Sequence, residues 1–296
     1  MRIRHALPVL LSIVCLAPAL AQDVSYKSTS LAPGLYMLEG VGGFGGGNMG
    51  LLTGDDGTFL IDDGLPPLTG KLLAAIGEIT DDDVDYLVNT HVHGDHTGGN
   101  EAFGKADATI VAHDNLRRRM VEDGVRTATG RGPAPEDALP VLTFSDAMTL
   151  HLNDRTAYVF HVAAAHTDGD AIIHFREDDV IHMGDVLFNR IFPFIDIDSG
   201  GTVEGFIAAQ KKVLAMMDDD TRIIPGHGPL ASREDLQASI DMLEDGRAKV
   251  KALVDAGKSD DEILAENPLS DYESWSWQFI NTERMTRTLI RGARGS

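Results

Sequence analysis

Three histidines and an aspartate fall within the six-residue run His91–His96, of sequence HVHGDH. Imidazole and carboxylate groups that converge this closely are costly to desolvate unless a cation binds between them. Neutral imidazole nitrogens and carboxylate oxygens are ligands that Zn²⁺ accepts readily. The run therefore predicts a metal site, with His91, His93, Asp95 and His96 as candidate ligands.

The residues around this run favour a loop at the end of a strand. Val84–Thr90 is apolar and typical of a strand, and Thr97–Asn100 reads as a turn into a helix. Strand ends are places where ligands from several segments can converge. The alternative is a histidine tag or a solvated loop, but a tag carries no aspartate and does not follow an apolar strand.

Three further candidate ligands lie far downstream, each just after an apolar, strand-like segment. His166 stands in AAAHTDGD, Asp185 in HMGD and His227 in IPGHGP. Together with the first run, HxHxDH, this order resembles the metallo-β-lactamase superfamily. The resemblance covers nearly the whole chain after its first residues.

The resemblance implies an α/β fold, the αββα sandwich, with two mixed sheets face to face, helices outside and metals at one sheet edge. It also implies two zinc ions, with Asp185 as the bridging carboxylate found in glyoxalase II and many superfamily hydrolases. Asp62, in Asp62-Asp63-Gly64, resembles a residue that supports the metal-binding loop from behind. The implied ligands are His91, His93 and His166 for one metal and Asp95, His96 and His227 for the other.

The implied chemistry is hydrolysis. A hydroxide held between two metals exists at neutral pH because metal binding lowers the pKa of water from about 15.7 to roughly 7. Asp95 is also the candidate catalytic residue, which accepts or orients the proton of the nucleophile. We therefore predict a dinuclear zinc hydrolase of a small amide, ester or thioester. Because well-known β-lactamases lack a bridging aspartate, we expect only modest β-lactam hydrolysis.

Two other functions fit parts of the pattern. A non-haem iron oxidoreductase of the persulfide dioxygenase type uses one iron with two histidines and one aspartate. His93 and the complete second set of ligands argue against it. The other alternative is a non-catalytic metal-binding protein, which seven intact ligands disfavour.

Substrate contacts are predicted on apolar residues near the ligands. The glycine-rich stretch 40–50 contains GxGxxG, but a strand–turn–strand pattern follows it where a dinucleotide motif requires a helix. We interpret this stretch as a mobile flap with Phe44 at its tip, and a loop without a role is the alternative. Phe188 stands where acyl-homoserine lactonases have tyrosine, which weakens that assignment. Phe192 begins a segment predicted to form an apolar wall beside Asp185.

The first residues resemble a secretory signal peptide, residues 1–21. Arg2 and Arg4 precede an apolar stretch that Pro8 and Pro18 interrupt, and Ala-Leu-Ala at 19–21 is a small-x-small cleavage site. A membrane anchor is the alternative, but the stretch is short and broken by proline. The prediction is a periplasmic or secreted protein whose residues 22–296 form the hydrolase domain, with a helical C-terminal tail.

Composition limits the partners. The 296-residue chain carries a formal net charge of −21, which repels phosphate backbones and argues against nucleic acid. The one cysteine, Cys15, lies in the predicted signal peptide, so neither a disulfide nor a thiolate ligand is expected. The expected partner is a small-molecule substrate, with no membrane anchor, and composition leaves the oligomeric state open.

Hydrophobic patterning predicts the remaining elements. The three arginines 117–119 are predicted to form a solvated helix face, with a substrate-carboxylate clamp as the alternative. Strands are predicted at 51–53, 58–61, 108–112, 149–152, 157–162, 171–175, 180–183 and 222–225. Helices are predicted at 68–79, 205–217, 232–256, 260–265 and 281–291.

Overall fold

The computed structural model describes residues 24–127 and 130–295. The predicted signal peptide lies outside this range. The main elements are two mixed sheets with helices on their outer faces. The strands are β1 (Ser25–Ala32), β2 (Leu35–Val41), β3 (Met49–Leu52), β4 (Thr58–Ile61), β5 (Val84–Val88), β6 (Thr109–His113), β7 (Val125–Thr127), β8 (Gly130–Gly132), β9 (Leu142–Phe144), β10 (Ala147–Leu152), β11 (Arg155–His161), β12 (Ala171–Phe175), β13 (Val180–Phe188), β14 (Arg222–His227) and β15 (Ala231–Ser232).

The helices follow the predicted pattern closely. Each of the five predicted helices is present, with bounds that differ by a few residues at the ends. The described residues contain seven α-helices: α1 (Thr69–Gly77), α2 (Asn100–Lys105), α3 (Asp114–Glu122), α4 (Val203–Leu214), α5 (Arg233–Asp255), α6 (Asp260–Glu266) and α7 (Thr282–Arg294). None of these helices is both long enough and apolar enough to cross a membrane.

The first sheet has seven strands in the order β1-β2-β3-β4-β5-β6-β9, and the second has six in the order β10-β11-β12-β13-β14-β15. In the first sheet, β1 to β4 pair antiparallel, whereas β4, β5, β6 and β9 pair parallel. The helices α1, α2 and α3 supply the crossovers that parallel pairing requires. In the second sheet, β13 and β14 are parallel and the other neighbours antiparallel.

The core lies between the two sheets. Phe59 of the first sheet and Phe175 of the second meet edge to face, with ring centroids 6.0 Å apart, within one cluster of buried side chains. Separate clusters lie under α1 on the outer face of the first sheet and under α4 and α5 on the outer face of the second. This layering is the predicted αββα sandwich.

The C-terminal helices form a further apolar cluster with the segment that follows β13. Ser232 caps the start of α5 and Ser259 caps the start of α6, each in a capping box whose serine hydroxyl accepts from the amide of the third helical residue. The segment 270–281 between α6 and α7 passes beside the ligand end of the sandwich. This arrangement places the end of the chain next to the candidate site.

Candidate metal centre

The seven predicted ligands converge at one edge of the sandwich. The run His91–His96 follows β5 of the first sheet, and the other three ligands come from the second sheet: His166 after β11, Asp185 within β13 and His227 at the end of β14. Because β13 and β14 are parallel neighbours, their carboxyl ends bring Asp185 and His227 to the same edge.

The ligands form two adjacent groups, in each of which the ligand atoms lie within 4.8 Å of one another. The first group consists of His91, His93, His166 and Asp185. The second group is Asp95, His96 and His227.

Asp185 offers one oxygen to each group. Its Oδ2 atom lies 3.7 Å from Nε2 of His91 and 3.4 Å from Nε2 of His166. Its Oδ1 atom lies 3.0 Å from Nε2 of His96 and 3.4 Å from Nε2 of His227. This is the placement that a bridging carboxylate requires.

Several of these atoms are buried without a hydrogen-bond partner, namely Nε2 of His91, Nε2 of His96 and Oδ1 of Asp185. Leaving such groups unpaired costs free energy, typically about 1–3 kcal/mol each. Two divalent cations, one in each group, would satisfy them all. The residues therefore fit a dinuclear metal site.

Close backbone approach at two glycines makes this arrangement possible. A Cβ atom at Gly226 would lie 2.0 Å from Oδ1 of Asp185, and one at Gly47 would lie 2.1 Å from Cε1 of His96. Any larger residue at either position would displace a ligand. The glycines of the IPGHGP segment and of the flap are thus part of the site.

In the first group, the second nitrogen of each imidazole has its own partner. Nδ1 of His91 lies 3.0 Å from the Thr90 hydroxyl, and Nδ1 of His166 donates to the Phe194 carbonyl at 2.7 Å. Nε2 of His93 lies 2.9 Å from Oδ2 of Asp196. These contacts leave the opposite nitrogen of each ring facing the group. Sequence reasoning missed Asp196, which lies 103 residues from His93 and has no local motif.

Asp62 lies directly behind the metal-binding loop. It is fully buried, and its Oδ2 atom is 2.7 Å from Nδ1 of His96 and accepts from the Thr90 hydroxyl at 2.7 Å. Its Oδ1 atom accepts from the Thr90 amide at 2.7 Å. These contacts are the ones expected of a residue that orients His96.

The environment of the first group favours neutral imidazoles. Burial, followed by the neighbouring His96, holds the pKa of His91 well below its usual value. Burial also lowers the pKa of His166 to about 4, against the opposing attraction of Asp185. Without metal, these rings are therefore unprotonated at neutral pH and ready to bind a cation.

The environment of the second group favours charged imidazoles. Burial alone lowers the pKa of His227, but Asp185 and Asp95 together outweigh it and raise the pKa to about 9. For His96, burial is likewise outweighed by Asp185, Asp62 and Asp95, so its pKa lies well above the usual value. The same histidines outweigh burial at Asp95 and lower its pKa to about 2. Protons therefore compete with a metal in this group.

The arginines of α3 differ from the prediction of a solvated face. Arg119 binds Asp168 through two bonds, Nε to Oδ1 at 2.6 Å and Nη2 to Oδ2 at 3.0 Å, and Arg118 adds a third at 3.0 Å. Asp168 lies two residues after His166, and Asn115 also donates to its carbonyl at 2.7 Å. The helix thus anchors the loop that carries a ligand, because its side chains reach back over that loop.

A cavity of about 1290 Å³ opens over the ligands. Phe44 and Phe188 line it as predicted, and both stack on His227, with ring centroids 5.8 and 5.1 Å away. The prediction for Phe192 is wrong, because this side chain is fully buried in the C-terminal cluster and cannot reach a substrate. Phe194 lines the cavity in its place.

The C-terminal segment fixes these two positions. The Phe192 amide donates to the Trp275 carbonyl at 2.8 Å, and the Phe192 carbonyl accepts from Nε1 of Trp277 at 2.9 Å. These bonds hold Phe192 against the helical cluster, while Phe194 stacks on His93 with centroids 5.7 Å apart.

The sequence profile of the metallo-β-lactamase superfamily matches residues 42–227. This match covers more than half of the chain and includes all seven candidate ligands. The chain belongs to the metallo-β-lactamase superfamily.

Relatives of known activity match about half of the chain. A hydroxyacylglutathione hydrolase from Polaromonas sp. is 27% identical over 166 residues, which are 55% of this chain and 56% of that protein. The acyl-coenzyme A thioesterase MBLAC2 of Bos taurus is 25% identical over 158 residues, or 47% and 54% of the two chains. The match thus spans only about half the length of these relatives.

Solved structures share the fold at lower identity. A metallo-beta-lactamase from Pontibacter korlensis superimposes with a TM-score of 0.62 at 17% identity, over 75% of this chain and 100% of that one. The sec-alkylsulfatase Pisa1 from Pseudomonas sp. superimposes with a TM-score of 0.69 at 18% identity, over 90% of this chain and 50% of that one.

Proposed function

We propose that this protein is a dinuclear zinc hydrolase that opens a small amide, ester or thioester. The observation that carries the proposal is the carboxylate of Asp185, which turns one oxygen toward each ligand group. A single-metal oxidoreductase would have no use for this bridge or for a complete second group.

The donor set supports zinc. It consists of five imidazoles with two carboxylates and contains no sulfur, a combination that zinc accepts in hydrolytic sites. When bound, two zinc ions would supply an ionised water near neutral pH and a Lewis acid for the substrate's carbonyl or related group. The chain's own residues must then orient the substrate and handle protons.

Asp95 is the residue proposed to handle the proton. It lines the cavity, and its Oδ2 atom lies 3.4 Å from Nε2 of His227. Its pKa is about 2, so this carboxylate is ionised at neutral pH and accepts a hydrogen bond from the nucleophile; as a weak base it would hold the transferred proton only transiently.

Two features support esters and thioesters over β-lactams. The matched relatives are named as a hydroxyacylglutathione hydrolase and an acyl-coenzyme A thioesterase, both of which act on thioesters. Beside His227 stand Gly226, Gly228 and Pro229, which offer no side chain to hold a β-lactam carboxylate. Arg119 lines the cavity but is already bound to Asp168. We therefore propose modest β-lactam hydrolysis only.

Removal and return of the metal tests the proposal. Dialysis against a chelator should abolish hydrolysis of ester and thioester substrates, and two equivalents of zinc should restore it. Full activity in protein shown to be metal-free by elemental analysis would contradict the proposal.

An Asp95→Asn variant tests the proposed proton acceptor. The amide keeps an oxygen but cannot take up a proton, so we expect a folded protein whose turnover falls by about a hundredfold or more. Asp81→Asn, at an exposed position on the loop before β5, is the matched control. Near-normal turnover in a metal-loaded Asp95→Asn variant would remove Asp95 from the reaction.

We also propose that the chain is exported and cleaved after Ala21. The support is the basic, apolar and small-residue pattern of residues 1–21. Amino-terminal sequencing of the protein recovered from a periplasmic fraction tests this, and recovery of an uncleaved cytoplasmic chain would contradict it.

A further inference from the structure

Aromatic rings line part of the cavity that opens over the ligands. Five rings line it: Phe44, Phe188, Phe194, Trp277 and Phe279. Two of these five rings expose much of their surface, 56% for Phe44 and 47% for Phe279. Exposed aromatic surface that is contiguous with a binding cavity is typical of a site for an apolar ligand.

Two of these rings come from the segment between α6 and α7, which lies beyond the region of the superfamily match. Trp277 lies 6.1 Å from the ring of His227 and 6.1 Å from Phe188, measured between centroids. Phe279 packs edge to face on Phe194 at 5.4 Å. The C-terminal segment therefore extends the wall from the ligands outward.

This segment is held in place by several hydrogen bonds. Nε1 of Trp277 donates to Phe192, and the Trp277 amide donates to the Ile280 carbonyl at 3.0 Å. On the outer side, Arg284 places its guanidinium 4.0 Å from the centroid of Phe279 and donates to the Phe279 carbonyl at 2.9 Å. A wall held on both sides can bind a ligand with little loss of conformational entropy.

We propose that Trp277 and Phe279, together with Phe44 and Phe194, form a subsite for an aryl or alkyl group of the substrate. The inference rests on the proposed hydrolase function and specifies its substrate class. The preferred substrate carries an apolar acyl group, such as hexanoyl or phenylacetyl, and this group lies against the C-terminal segment while the scissile bond faces the ligands.

The size of the cavity agrees with this class. Its volume of about 1290 Å³ exceeds the range of roughly 300–1,000 Å³ found for most small-molecule sites. An acetyl group would leave most of the aromatic wall in water. A longer or aromatic acyl group would cover it and gain hydrophobic free energy.

The two tryptophans of the chain, Trp275 and Trp277, give a binding test that does not depend on turnover. Trp277 lines the cavity, whereas Trp275 packs in the C-terminal cluster. A Trp275→Phe variant therefore reports on Trp277 alone, and a Trp277→Phe variant reports on Trp275 alone. The probes are two neutral, non-hydrolysable thioethers of N-acetylcysteamine, one S-hexyl and one S-methyl.

We expect the S-hexyl probe to change the emission of Trp277 and leave that of Trp275 unchanged. It should bind at least about tenfold more tightly than the S-methyl probe, because each buried methylene adds a factor of about four. Phe279→Ala should remove most of this difference. Equal affinity for the two probes, or a response from Trp275 only, would overturn the subsite.

Kinetics with zinc-loaded protein provides the second arm. The second-order rate constant should rise from acetyl to butanoyl to hexanoyl thioesters of N-acetylcysteamine. Phe279→Ala should flatten this series, whereas Leu73→Ala, at an exposed leucine on α1, should preserve both the series and the rate of acetyl hydrolysis. Hydrolysis without any chain-length preference would refute the subsite alone. Probe binding without hydrolysis would instead refute the proposed function.

Discussion

The two ligand groups sit side by side and share Asp185, yet they have opposite electrostatic character. In the first group the imidazoles His91 and His166 are kept neutral by burial. In the second group His96 and His227 are kept protonated by the carboxylates around them. The first group is therefore prepared for a metal, whereas the second must exchange protons for one.

The orienting partners differ only in part, because His93 of the first group also contacts a carboxylate, that of Asp196. His166 is oriented by the Phe194 carbonyl and His91 by the Thr90 hydroxyl, which are neutral groups. His96 is oriented by the buried carboxylate of Asp62 at 2.7 Å. A carboxylate partner raises the basicity of an imidazole, so it strengthens both proton and metal binding. The comparison teaches that two sites with similar ligands can differ mainly in their competition with protons.

The largest effect is expected from the residue that the two groups share. Asp185→Asn removes the bridging charge, so both metals should bind weakly and the turnover should fall by roughly a thousandfold, equivalent to about 4 kcal/mol of barrier. Elemental analysis and kinetics on the folded variant measure this. Two tightly held metals in the variant would show that the groups are independent.

Replacing one histidine in each group should show that the two groups bind their metals separately. His96→Ala should deplete the second metal more than the first, and His91→Ala should do the reverse. In each variant the affinity for the depleted metal should fall by more than roughly 10–100-fold, the loss typical for residues that only orient a ligand. Competition with a chromophoric chelator gives both constants. Parallel loss of both metals in each variant would contradict the division into two groups.

Neutralising the carboxylates that orient the ligand histidines should also affect one metal more than the other, but with smaller losses of affinity. Asp62→Asn should weaken the second metal by about 10–100-fold, because Asp62 orients His96. Asp196→Asn should weaken the first metal, because Asp196 contacts His93. The same chelator competition measures both variants, and a reversed pattern would mean that the outer contacts do not select between the groups.

Because protons compete with the metal in the second group, the affinity for the second metal should depend on pH. Because the pKa of His227 is about 9, this histidine is protonated at lower pH and must release its proton to bind a metal. The affinity for the second metal should therefore rise about tenfold per pH unit for each proton displaced. His166 should contribute no proton release to binding of the first metal between pH 6 and pH 8, because its pKa is about 4. Calorimetry in buffers of different ionisation enthalpy counts the released protons, and equal counts for the two metals would contradict the comparison.

The same pKa shift predicts how stability changes in metal-free protein. His227 has a folded-state pKa of about 9, above its ordinary value of 6.5. Its contribution to stability is therefore fully present below pH 6.5 and is lost as the pH rises through about 9. Chemical unfolding at a series of pH values should show this loss, and zinc should suppress it.

The smallest effect is expected at the anchor on α3. Arg119→Ala should weaken the first metal by about fivefold, or about 1 kcal/mol, because Arg119 holds the loop of His166 through a partly exposed ion pair. Arg118→Ala, whose side chain is 48% exposed, is the matched control and should change less. An unchanged metal affinity in Arg119→Ala would make the contact irrelevant to the site.

The layered fold was predicted from the resemblance to the superfamily, and the individual strands and helices from their strong hydrophobic patterning. The helices 205–217 and 232–256 correspond to α4 and α5, and the strand 171–175 matches β12. The hairpin of β1 and β2 was not predicted. Its exposed strand, β1, mixes buried and exposed residues irregularly, so its pattern carries no clear period.

The local chemistry of the ligands was visible in the sequence, because each ligand stands in a short segment of distinctive composition. The run His91–His96 was recognisable from its own residues, and His166, Asp185 and His227 from segments that resemble motifs of the superfamily. The placement of Asp62 behind the metal-binding loop was also expected, from the resemblance of Asp62-Asp63-Gly64 to a motif of the superfamily.

Only the tertiary structure decided which distant side chains complete the site. The contacts of Asp196 with His93, of Arg119 with Asp168 and of Trp277 with the cavity join residues far apart in the chain. It also placed Phe192 in the core and Phe194 on the wall. Such contacts depend on how sheets and helices pack, and no local pattern encodes them. For the same reason the opposite protonation of the two groups, which depends on summed burial and charge, follows from the fold alone.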